Sequence, residues 1–99
     1  MPQSLARRLG VETGEAVLRY ELLGEQAASL GRAGQKVETT LAALRDHPGG
    51  EGRAVLVKAA ADAVWGFFVQ REIMGLRDRT TVIAHYGIPR EVLNRLGAR

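Results

Sequence analysis

Ninety-nine residues, 45% apolar and 25% charged, make one modest domain. The absence of Cys excludes a disulfide framework, a Cys metal site and a Cys nucleophile together. A net charge of +3 is by itself too small to imply nucleic acid, but the excess is uneven: Arg71 to Arg99 carry six Arg against Glu72, Asp78 and Glu91.

Arg outnumbers Lys twelve to two, the bias of a GC-rich bacterial genome. The N-terminus lacks an apolar run of signal-peptide length, and the longest apolar region, 54–69, is interrupted by Lys58 and Asp62. The expectation is a bacterial cytoplasmic protein with no membrane span.

Residues 1–13 read as a lead-in, with Ser4 capping a short turn that Gly10 stops. Thr13 then caps the first long helix, predicted over 14–47. Tyr20, Leu23, Ala27, Leu30, Gly34, Val37, Leu41 and Leu44 step by three and four, a heptad seam. A helix of this length reaches ~45–50 Å at 1.5 Å per residue. Ala27 and Gly34 leave room in the seam for a second helix, and Gly24 and Gly31 flank it. Each Gly costs about 0.5–1 kcal/mol relative to Ala, which close packing would offset. The alternative is a break at "SLGRAGQK".

"DHPGGEG" at 46–52 is the clearest interruption, with the loop itself at 48–52. So short a connection implies antiparallel neighbours. The second helix, predicted over 53–75, is apolar nearly all round. Its thin polar stripe runs through Lys58, Asp62 and Glu72, with Trp65 and Val69 beside it. A stripe of small residues holds Ala59, Ala63 and Gly66. A bulky one holds Val57, Val64 and Phe68 and continues to Arg71. An all-round apolar helix is a buried one. The C-terminal segments or a second chain must therefore wrap it.

Residues 76–99 read as two short helices. Asp78 caps "RTTVIAHY", which Gly87 stops; Pro89 opens "PREVLNRL", about two turns, which Gly97 closes. Around Gly87 the apolar residues Val82, Tyr86, Ile88, Leu93 and Leu96 hold the spacing of a helix-turn-helix. Ile83, however, is bulky where that motif wants a small residue. The favoured reading is a helical corner packed on the second helix. The alternative is a DNA reader with Arg90, Asn94 and Arg95 as its contacts.

Arg71, Glu72, Arg77, Asp78 and Arg79 crowd the junction after the second helix. A buried Arg71 demands a carboxylate, with Asp78, Glu21, Glu25 or an acid of a second chain as partner. The cluster reads as a network pinning the turn, or alternatively as an anion or carboxylate pocket. His47 and His85 are the two histidines, and neither stands at metal-ligand spacing from another ligand. Neither Ser4 nor Ser29 lies in a nucleophile context. Neither metal, cofactor nor catalytic residue is expected.

"VQREIMGLRD" at 69–78 and "YGIPREVLNRLG" at 86–97 resemble a family of small, uncharacterised bacterial proteins of about a hundred residues. The similarity extends back through "RYELLGEQAASLGRAGQKVETTLAAL". The resemblance implies an all-helical single domain and no particular activity. The expected architecture is all-α: a long antiparallel helical hairpin with two short C-terminal helices, two chains pairing into a dimeric bundle. The expected role is a non-enzymatic homo-oligomeric interaction module, and the alternative is a small DNA-binding protein.

Overall fold

The computed structural model describes residues 3–97, with side chains from Gly14 onward. It holds four helices: α1 (Gln3–Asp46), α2 (Arg53–Ile73), α3 (Arg79–Tyr86) and α4 (Arg90–Leu93). No strand occurs among the described residues.

Helix α1 is continuous for 44 residues, through Gly31 and Gly34 and also through Gly10. The predicted lead-in at 1–13, with a stop at Gly10 and a new start at Thr13, is thereby corrected. A helix already under way gains a hydrogen bond with each added residue, so one Gly weakens it without ending it. Proline does end it: none falls between Pro2 and Pro48, and α1 stops two residues before Pro48. At 1.5 Å per residue α1 is about 66 Å long. The whole molecule measures 71 × 24 × 19 Å, so α1 is close to straight and sets the long dimension.

The loop turns the chain back with Gly49, Gly50 and Gly52 at φ of 101°, 85° and 86°. That left-handed region is cheap for Gly alone, which explains the glycine run. The imidazole Nδ1 of His47 accepts the Gly49 N–H at 3.0 Å. Helix α2 ends at Ile73 and not at 75. Gly75 stands at φ 81°, and the N–H groups of Gly75 and Leu76 donate to Glu72 and Arg71 carbonyls at 2.9 and 2.8 Å. This Schellman-type closure satisfies carbonyls that the helix end would leave open.

The core lies where α2 meets the C-terminal half of α1. Val37, Leu41 and Leu44 of α1 pack with Val57, Ala60, Ala61, Val64, Phe67 and Phe68 of α2. Gly34 is the point of closest approach. A Cβ there would stand 2.8 Å from Tyr86 Oη and 3.4 Å from Phe67 Cε1. Those two rings meet edge to face, 5.5 Å between centroids. Of the small residues predicted at helix contacts, Gly34 and Ala63 are buried. Ala27, Ala59 and Gly66 are exposed, which corrects their assignment within the chain. Helix α2 turns its Val57–Ala60–Ala61–Val64–Phe67 stripe inward, so Ala60 and Ala61 provide the close contact in their place.

Helix α3 is capped at its start by Asp78, whose Oδ1 accepts the Thr81 N–H at 3.1 Å. It ends at Gly87, φ 63°, where the Ile88 N–H reaches the Ile83 carbonyl at 3.1 Å. Helix α4 is one turn, Arg90–Leu93, followed by further turns to Gly97. The expected two-turn helix is thus shortened. The corner packs on α2: Val82, Ile88 and Val92 are buried, and Ile83, Tyr86, Leu93 and Leu96 are partly buried against them.

Candidate functional site

The corner's polar residues do not form a reading head. Arg90, Asn94 and Arg95 are exposed, but α4 is too short to present them along a groove. Glu91 is ion-paired to Arg53 of α2, so a carboxylate occupies the leading edge of α4. Asn94 and Arg95 border a shallow depression with Arg53, Ala54 and Val57. The apolar spacing around Gly87 is consumed by packing on α2.

The Arg-rich junction resolves into separate contacts. Arg79 Nη2 pairs with Glu72 Oε1 at 2.9 Å, and its guanidinium lies 4.8 Å from the Phe68 ring centroid and 6.0 Å from that of Trp65. One side chain thus ties the start of α3 to the end of α2 through charge and ring faces together. Asp78 is taken up by its cap: both the Thr81 hydroxyl and the Thr81 N–H donate to it. These bonds hold its carboxyl below the ordinary value of 3.8. A Thr80 backbone bond and the Arg71 charge add to the effect. Arg71 is half-buried with its guanidinium 5.8 Å from the Phe67 ring centroid. Among the described residues, no carboxylate lies within ion-pair distance of Arg71 or Arg77. The expected direct partner of Arg71 is therefore not found among the described residues: Asp78 acts on it only at longer range, and Glu21 and Glu25 are exposed.

No three His, Asp or Glu side chains converge among the described residues. His85 stands edge to face with Tyr86, 5.0 Å between centroids. No helix is long and apolar enough to cross a membrane among the described residues.

The surface that stands out is apolar and lies in two parts. Helix α1 has 44 residues and α2 has 21, so roughly half of α1 overhangs the hairpin as an arm. On that arm Val17, Leu18, Tyr20, Leu22 and Leu23 are 49, 68, 80, 55 and 52% exposed. The second part follows one face of α2. Trp65, Val69 and Ile73 are exposed there and form, with Gln26, Gly66, Gln70 and Met74, a shallow groove of ≈ 430 Å³. A Cβ at Gly66 would meet nothing within 4 Å beyond its own helix backbone and chain neighbours. The heptad seam was legible in the sequence. That α2 is too short to cover it was not, because 14–47 and 53–75 are closer in predicted length than α1 and α2 are in fact.

No curated protein and no solved structure matches the chain. A protein family does, over residues 4–99, under the description "Family of unknown function (DUF6665)". That match includes both stretches that carried the resemblance in the sequence, and the chain belongs to this family of unknown function.

Proposed function

We propose that the chain is a non-enzymatic helical module that works by self-association, as a homodimer in a bacterial cytoplasm. One observation carries this reading: the large apolar side chains left exposed on the arm and on α2. Single exposed apolar residues are ordinary, but contiguous patches on soluble monomers are uncommon and mark interaction surfaces. The shape supports the same reading. The radius of gyration is 19.8 Å, against about 13 Å for a compact chain of this length. An extended chain of 99 residues buries less of itself than a compact one, and a second copy is the simplest source of cover.

The reading as a DNA-binding protein lacks a comparable observation, since α4 is one turn long and Glu91 leads it. Size-exclusion chromatography coupled to light scattering tests self-association. Twice 10.7 kDa, persisting on dilution into the low-micromolar range, is the expected mass. A mass of one chain at every concentration would sink the proposal.

A further inference from the structure

The geometry points to an exchange of arms between two copies of this chain: each arm, through Tyr20 and Leu23, lies on the Trp65–Val69–Ile73 face of the other copy's α2. This rests on the self-association proposed above and adds which surface meets which.

Four observations select this arrangement. The first is length. The arm ahead of Gln26 and the 21-residue α2 are nearly equal, so an arm laid alongside a second hairpin runs the length of its α2. A straight α1 carries its arm away from its own α2, so only another molecule's hairpin is within reach.

The second is the distribution of apolar residues. At 100° per residue, Val17, Tyr20 and Leu23 share one side of the arm, and Leu18 and Leu22 another. All five are exposed. The Val17–Tyr20–Leu23 side is the one laid on the other copy's hairpin, and Leu18 and Leu22 lie on the opposite side of the arm.

The third is symmetry and charge. Two antiparallel α1 helices related by a two-fold axis place each arm parallel to the other copy's α2. Arm residues near position 25 then fall at the C-terminal end of α2. That end carries Arg71, Arg77 and Arg79 against Glu72 and Asp78, and the arm brings Glu21 and Glu25 to it. Arg77, exposed beyond the end of α2 and without a carboxylate partner among the described residues, is the cation these exposed acids approach; Arg71 lies over Phe67 on the other side of α2. The α1 helices cross near Gly24 and Ala27, where no large side chain keeps them apart.

The fourth is area. An arm about 33 Å long and ~10 Å across, laid on its groove twice over, buries about 1,300 Å² in total, within the range of roughly 1,200–2,000 Å² for stable interfaces. Each end of the dimer becomes a bundle of three long helices, and the closed symmetry leaves no arm over.

Two surface variants test the exchange. One disables the arm (Tyr20→Glu with Leu23→Glu) and the other the face (Val69→Glu with Ile73→Glu). All four side chains are exposed, and helical circular dichroism checks that each variant folds. If either loses its helical spectrum, the corresponding Ala substitutions are read in its place. Light scattering on the intact chain should give the doubled mass, and each variant alone the mass of one chain. An equimolar mixture should recover the doubled mass, because an intact arm then meets an intact face once per dimer. A dimeric parent with either variant still fully dimeric overturns the exchange and leaves self-association standing. So does a mixture that stays at the mass of one chain at the highest attainable concentration. A parent chain of single mass overturns both.

Discussion

At Gly34 one missing methyl group decides how three helices meet. The α1 backbone can lie against Phe67 and Tyr86 because position 34 has no Cβ; an added one would sit 2.8 Å from Tyr86 Oη. Gly34→Leu is expected to destabilise the fold by roughly 1–3 kcal/mol, the scale of overpacking. Gly31 lies one turn earlier, where a Cβ meets nothing within 4 Å. Gly31→Ala is therefore expected to stabilise the chain by about 0.5–1 kcal/mol through helix propensity alone. Urea unfolding of both variants reads the two signs. A Gly34→Leu midpoint equal to the parent's would remove the close-approach explanation. The heptad spacing made Gly34 legible as a contact residue. It did not distinguish Gly34 from Ala27, which occupies the same seam position one heptad earlier and is exposed. The difference is the reach of α2, which no local spacing encodes.

At the scale of elements, the ends are where sequence and structure correspond best and also where they part. Asp78 and Gly87 bracket α3 because each performs a backbone task that few residues can: a side-chain acceptor at the start, a left-handed residue at the end. Gly10 looks like the same kind of stop, yet α1 runs through it. A Gly ends a helix only when the following chain supplies the closing bonds, as Leu76 does after Gly75. Helix α4 is shorter than its apolar spacing suggests because Leu93 and Leu96 reach the core from turns as readily as from a helix. The Asp78 cap carries a pH signature. Its carboxyl lies below 3.8 in the folded chain, so its contribution is complete above that value and is lost as pH falls through the lowered one. Asp78→Ala should therefore unfold at lower temperature than the parent near neutral pH. The gap should narrow only in strong acid, as the parent's carboxylate protonates. Thermal melts across a pH series measure this. A gap unchanged into strong acid would mean that the ionised carboxylate is not what stabilises the start of α3.

The whole molecule is two unequal halves of one long helix. The C-terminal half of α1 has a hairpin partner and a core; the N-terminal half has apolar side chains and no partner among the described residues. An isolated helix of that length is marginal in water, since most helical stability in proteins comes from packing. A persistent arm therefore needs cover, and the proposed exchange gives it a second chain's hairpin. All-helical architecture was legible in the sequence from capped, proline-free segments with helical periodicity. The overhang was not, because the seam reads the same whether its partner is its own α2 or another molecule's. Amide hydrogen exchange on the intact chain, followed peptide by peptide at two protein concentrations, tests the central claim most directly. The arm amides through Glu25 should be protected at high concentration and lose that protection on dilution, while those of Val37 to Leu44 hold theirs. Arm amides that exchange at the rate of an unstructured chain at every concentration would contradict it.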